Sequence, residues 1–494
     1  MNPTVIIKKI DESYIEIVTD ERWILLELSE HFSFKVPGAK FQPLVRSGFW
    51  DGVIKLFNLN TNKILSGLLP DIEFWLTEHK VEYTVNFCEE IETRNYDAIT
   101  ESLNFNFEIR DYQYQNINTS LNEKRKLILS PTGSGKSVTI YSIIRELVNK
   151  NKKILLLVPT VSLVSQMEHD FKDYSENNGW DVSEFCHTIF AGQEKETEKD
   201  VAISTWQSIF KLPKKYFKRY DVIICDEVHL ATAKSIQEIV SSCINAEYKI
   251  GFTGTLKDTK CDIMVLRGLF GSVEELTSTS KLIEDNILAD INIATLQLKY
   301  PKHAIKDFVS KGKKYPDEID FIIEYEERNI FLRKLALHLT GNSLFLFTRV
   351  DSHAKKVYNS IKDILENDPN ISRKVSLVVG EVSKKKREEI RLSVEDDTNH
   401  IIIASCGVFS TGINIKNINN IVFASPIKSK IRVMQSIGRG LRRSDTKDNV
   451  VLYDLVDDLC YGSYKNFAYK HYEERLIYYA SERLPCINKV LNLK

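Results

Sequence analysis

From residue 109 onward, short apolar runs alternate with segments whose apolar positions recur at helical spacing. The runs at 127–129, 154–158, 201–204, 222–225 and 248–252 read as buried strands with helical stretches between them. A second series follows at 293–298, 344–347, 375–379, 401–404, 421–424 and 450–453. Strand alternating with helix is the pattern of a parallel sheet covered on both faces, so the spacing predicts an α/β chain with two doubly wound parallel sheets in tandem. Residues 1–105 read as a small α/β unit. It has hairpin strands at 5–10 and 14–18 around Asp11-Glu12-Ser13, helices at 22–31 and 73–80, and an acidic, polar linker at 86–103. The polar stretch 301–325 reads as an excursion near the start of the second series. The Tyr-rich, basic tail from Cys460 has helical spacing suited to packing on that series. The expected domains are 1–105, 106–288, 289–459 and a helical tail, 460–494.

Polar residues cluster where the predicted strands end, which is where open parallel sheets bind ligands. The first strand runs into Ser130-Pro-Thr132-Gly133-Ser134-Gly135-Lys136-Ser137 and then a helix. Gly133 and Gly135 let the backbone curl so that successive N–H groups face an anion. Lys136 supplies a compact positive charge for phosphates, and the Ser137 hydroxyl a ligand for Mg²⁺. The helix N-terminus adds partial positive charge. This is a P-loop, with Ser130 where the first Gly is usual. Asp226-Glu227 follows the 222–225 run: one carboxylate to hold Mg²⁺, its neighbour to orient or deprotonate a water. Together they predict hydrolysis of a nucleotide. Arg439 and Arg442, three apart on a helical stretch, could neutralise charge on a transferring phosphoryl group if the two series face one cleft.

Composition changes little in this picture. The 494 residues are 43% hydrophobic and 27% charged, with a net charge of −1, so any nucleic-acid site must be locally basic. One candidate is the turn at Phe49-Trp50 beside Arg46 and Lys55, where an aromatic could stack on bases while cations hold phosphates; Trp50 reads equally as a core residue. Lys428, Lys430 and Arg432 form a stripe that is either a phosphate track or solvated charge. The eight cysteines are scattered without a Cys-x-x-Cys pair, which argues for a reducing compartment and against zinc. No apolar run approaches the ~18 residues of a spanning helix, and the N-terminus has no signal-peptide core. The expectation is a cytoplasmic protein without membrane contact.

The ordered set of motifs resembles the superfamily-two helicases of the DExH type: Arg110-Asp-Tyr-Gln113, the P-loop, Ser204-Thr-Trp-Gln207, Asp226-Glu-Val-His229, Phe252-Thr-Gly-Thr255, Leu346-Phe-Thr348, the 405–414 stretch and Gln435 to Arg442. More narrowly, Gly48-Phe-Trp-Asp-Gly52 and Asp226 to Thr232 resemble the bacteriophage UvsW-type recombination and repair helicases. The resemblance implies two RecA-like domains behind a small DNA-contacting domain. It implies a monomeric, ATP-driven motor acting on DNA forks, four-way junctions and single strands, with RNA in R-loops as a further substrate. By the same resemblance, Gln113 with Arg110 reads adenine, Gly412 and Gln435 join the nucleotide site, and His229, Thr253 and Thr255 couple nucleotide state to DNA. Thr160, Thr205, Trp206, Thr348, Arg349 and Thr411 would grip strand phosphates. The motifs leave open a duplex translocase, an RNA helicase, or a scaffold that uses its nucleotide only as a switch.

Overall fold

The computed structural model describes residues 4–87, 94–96, 101–230, 234–256, 259–311, 314–368, 371–412, 415, 417–441 and 449–493; at 311, 384, 410–412, 430–432, 435 and 439 the description is of the backbone. By contact the chain divides into two compact units, residues 1–130 with 135–276, and 131–134 with 277–494.

The first unit begins with a four-stranded sheet in the order Lys63–Leu65, Tyr14–Val18, Thr4–Lys9, Glu82–Val85. The predicted hairpin is present, and its turn is closed by Asp11, whose carboxylate accepts from the amides of Ser13 at 2.7 Å and Tyr14 at 3.0 Å. Alternation along the strands places Val5, Ile7, Ile15 and Ile17 on one face, against Ile24 and Leu28 of the Arg22–His31 helix and Ile72, Trp75 and Leu76 of the Leu69–Glu78 helix. Cys261 and Met264, from the helix Lys260–Phe270, complete this core. Arg267 pairs with Asp71 at 2.9 Å, and the Glu12 amide donates to the Ile244 carbonyl at 2.9 Å.

The second sheet runs Val273–Glu274, Arg125–Leu129, Tyr248–Thr253, Val222–Asp226, Ile154–Val158, Val201–Thr205, Cys186–Ile189. Every pairing in it is parallel. Ile154, Leu156 and Val158 face one core, while Leu155 and Leu157 face the other. Both faces are therefore covered, as a continuous apolar strand requires.

In the second unit the order is Lys374–Val378, His400–Ser405, Ser343–Phe347, Asn420–Phe423, Asn449–Asp458, Asp290–Lys299, Cys486–Asn492, again all parallel. The polar 301–325 stretch forms two helices, Lys302–Lys311 and Tyr315–Glu324. The tail departs from expectation. Its helix, Phe467–Ser481, is followed by a strand that joins the sheet edge beside Asp290–Lys299. Pro485 stops helical continuation, and an edge strand with one open side needs no long apolar run to announce it.

Candidate nucleotide and nucleic-acid sites

The Arg125–Leu129 strand hands over to the helix Lys136–Asn149 through a turn in which Gly133 and Gly135 have φ of 89° and 84°. A Cβ on Gly135 would lie 2.3 Å from Gln113 Nε2, so glycine is required for the loop to close on that amide. Gln113 is buried, and its Oε1 accepts from the Arg110 amide at 2.9 Å, capping the helix Asp111–Glu123. The Arg110 guanidinium donates to the Tyr112 hydroxyl at 3.2 Å. Within the loop the Ser134 hydroxyl donates to the Pro131 carbonyl at 2.7 Å, Thr132 is partly exposed, and Lys136 Nζ donates to the Ser130 carbonyl at 3.0 Å. Ser137 Oγ lies 2.8 Å from the Tyr174 hydroxyl. Tyr174 belongs to an aromatic group with Phe105, Phe107 and Tyr141. Its part in the site had no sequence signal beyond helical spacing with Val164, Met167 and Phe171.

Asp226 closes its strand opposite Phe252, and Thr253 of that neighbouring strand pairs with Leu129, so the carboxylates and the P-loop leave the same edge of the sheet. Glu227 has φ of 52°, a left-handed conformation that costs a residue with a Cβ roughly 1–2 kcal/mol. Such strain concentrates where function needs it. The turn lets the Glu227 amide donate to Asp226 Oδ1 at 2.9 Å. Burial first, and the adjacent Glu227 carboxylate second, hold the Asp226 carboxyl above the ordinary range, with Lys136 acting in the other direction.

The imidazole Nδ1 of His229 hydrogen-bonds to Thr253 Oγ1 at 3.0 Å and lies 3.2 Å from Glu227 Oε2. The Thr253 hydroxyl donates to the Thr255 carbonyl at 2.9 Å, so toward His229 it must accept. That places a proton on Nδ1. Thr253 also takes the Ser130 amide on its carbonyl at 2.8 Å. The three expected coupling residues thus form one hydrogen-bonded chain from His229 to the base of the P-loop, with Glu227 beside its start.

The expected strand-gripping residues divide. Thr160 accepts from the Leu163 amide at 3.3 Å, capping the helix Val161–Ser175. Thr348 and Arg349 are exposed and line a cavity of about 290 Å³ with Tyr315, Ile319, Ile427 and Lys428. Thr205 is 3% exposed with its hydroxyl 2.8 Å from Ser208 Oγ, while Gln207 beyond it is exposed. Trp206 is half-buried against the same core. Trp50 is half-buried. Its indole nitrogen donates to the Val53 carbonyl at 2.9 Å, and Phe49 takes the outward position beside an exposed Arg46. Thr411 and Gly412 lie on the helix Cys406–Gly412, and Gln435 and Arg439 on Lys430–Gly440. Arg442 lies outside the described residues.

Three families match consecutive parts of the chain: "DNA helicase UvsW, N-terminal" at residues 5–87, "Type III restriction enzyme, res subunit" at 106–258, and "Helicase conserved C-terminal domain" at 327–444. The chain is 33% identical to the ATP-dependent DNA helicase uvsW of Enterobacteria phage T4, over 98% of both proteins. The chain belongs to the UvsW helicase family. The crystal structure of T4 UvsW matches across 100% of both chains at 31% identity, with a TM-score of 0.50. The DNA 3'-5' translocase XPB2 of Sulfurisphaera tokodaii is 23% identical, over 78% of this chain and 88% of its own.

This UvsW-family protein is therefore an ATP-hydrolysing helicase of two RecA-like domains behind a small α/β domain. Among the described residues no helix is long and apolar enough to cross a membrane.

Proposed function

We propose that this helicase is a DNA motor that unwinds and branch-migrates forks and four-way junctions, with R-loops as a further substrate, in recombination, repair and replication. The observation that carries the reading is the likeness to a phage DNA helicase along the whole chain, small N-terminal domain included. The residues present also fit Mg²⁺ with a triphosphate. Asp226 is a buried carboxylate crowded by Glu227, and a glycine cradle stands at a helix N-terminus beside Lys136. Ser137 and Asp226 would hold the ion, which when bound neutralises charge on the phosphates. Lys136 and the loop amides bind the phosphates; Gln113, pressed on Gly135, ties the adenine-side helix to that loop. Glu227, restrained by His229, orients the water and takes its proton. Arg439, Arg442 and Gln435 act on the transferring phosphate, and Gly412 lines the nucleotide. Thr160, Thr348, Arg349 and Thr411 hold strand phosphates, and the protein works as a monomer.

Steady-state ATP hydrolysis at fixed salt, without nucleic acid and with single-stranded DNA, duplex DNA, single-stranded RNA, a three-strand fork and a four-way junction, tests this. Forks and junctions should stimulate most, with strand displacement on the same substrates, and Lys136→Ala should abolish turnover. Strongest stimulation by RNA would reject the DNA assignment, and turnover retained in Lys136→Ala would reject the site.

A further inference from the structure

Between the antiparallel strands Ser33–Lys35 and Val53–Lys55, the chain makes an excursion through a 3₁₀ turn, Ala39–Phe41, and a short helix, Pro43–Arg46. Its base is well built. The Val36 amide donates to the Gly52 carbonyl at 2.9 Å, and the amides of Phe49 and Trp50 both donate to the Leu44 carbonyl, at 3.0 and 3.1 Å. Ala39 is buried, and a Cβ on Gly52 would stand 3.0 Å from it. Gly38, Gly48 and Gly52 all have φ above +70°, which fixes the three bends. Beside Trp50, whose indole nitrogen is engaged by the Val53 carbonyl, the tip is apolar: Phe49 is 86% exposed, Phe41 64% and Leu44 58%.

Three large apolar side chains held in solvent by an ordered turn mark a binding surface. The charges around them say what it binds. Lys35, Lys40, Arg46 and Lys55 are all exposed, against one carboxylate, Asp51, in a chain of net charge −1. Lys40 lies over the Phe41 ring at 5.1 Å. Aromatic faces ringed by cations suit a nucleic-acid strand whose bases are unstacked: rings meet bases, and cations meet the flanking phosphates. Paired bases in a continuous duplex offer no such face. The geometry points to a wedge: Phe49, with Phe41 and Leu44, inserts at the branch point of a forked DNA, stacks on the first unpaired base and keeps the strands apart. This rests on the DNA-motor reading above and adds strand separation by a named surface.

The test uses the full chain with Phe49→Ser, Phe49→Trp and the triple variant Phe41→Ser/Leu44→Ser/Phe49→Ser. All three positions are exposed, so ATPase on single-stranded DNA should stay within about twofold of wild type. Fork displacement should fall about tenfold in Phe49→Ser, further in the triple variant, and return with the planar ring of Phe49→Trp. A fork carrying 5-iodouracil at its first unpaired position should crosslink to the peptide containing Phe49. Wild-type displacement by the triple variant, or crosslinks confined to other peptides, would overturn the wedge while leaving the motor intact. Absence of any DNA-stimulated ATPase in wild type would overturn both.

Discussion

Ser137 Oγ and the Tyr174 hydroxyl share a hydrogen bond at 2.8 Å, so the hydroxyl proposed for Mg²⁺ is already engaged. Either hydroxyl can donate here; with Tyr174 as donor the bond occupies a lone pair of Ser137, contributes about 0.5–1.5 kcal/mol net and competes with a cation for that oxygen. Tyr174→Phe removes that competition and leaves the ring packed on Phe105 and Phe107. Half-saturation by Mg²⁺ in the ATPase assay should fall by about two- to tenfold, with kcat changing less. An unchanged or higher Mg²⁺ requirement would show that Tyr174 instead helps place the serine.

Among the elements of the second unit, buried charge ties helices to the sheet and to one loop. Arg475 makes paired bonds of 2.8 Å to the two oxygens of Asp454 and donates to the Ile427 carbonyl at 2.6 Å. Arg328 does the same with Asp457 at 2.6 and 3.0 Å and with the Ala424 carbonyl at 2.8 Å. Both arginines are essentially inaccessible, and both fix the segment that leads into Lys430–Gly440, the helix bearing Gln435 and Arg439. Arg475→Met leaves the buried Asp454 with only the Tyr479 hydroxyl, which donates to it at 2.9 Å, and should cost about 3–5 kcal/mol, while Arg475→Met/Asp454→Leu/Tyr479→Phe should recover most of it. Denaturant unfolding of both variants checks this; a triple variant no better than the single would place the cost in the lost carbonyl bond. These pairs were not legible in the sequence, where a lone Arg in a polar helix reads as surface. The two strand series and the P-loop were legible, because apolar runs report burial directly and Gly133, Gly135 and Lys136 specify backbone and charge within one turn. Whether Trp50 or Phe49 pointed outward, and that Thr205 faced Ser208, depended on packing from elsewhere in the chain.

At the scale of the whole molecule, the small domain and the P-loop sheet form one compact unit joined along a partly charged seam. Lys249, on the central Tyr248–Thr253 strand, is 1% exposed and donates to Ser13 Oγ and, at 3.1 Å, to the Val240 carbonyl; Arg125 beside it donates to the Glu12 carbonyl. Burial, reinforced by Arg125, lowers the Lys249 amine from its ordinary 10.5 to about 7. Below about 7 the folded protein carries this charge inside the seam. Between about 7 and 10.5 only the unfolded chain binds the proton, so the penalty fades as pH rises through that window. Lys249→Met should therefore raise Tm relative to wild type more at the acid end of that window than at the alkaline end. A difference independent of pH would mean the amine is not held charged there. At the same seam, a Cβ on Gly67 would fall 2.3 Å from the Arg267 carbonyl, and one on Gly268 would fall 2.8 Å from Leu65. At Gly67 the two backbones are in direct apposition, with the Leu65 side chain packed beside them on Gly268. The helix they press on is Lys260–Phe270, capped by Thr259. The small domain and the P-loop sheet are one compact unit, so the wedge proposed at Phe49 would be carried with the motor's frame instead of swinging on a hinge of its own.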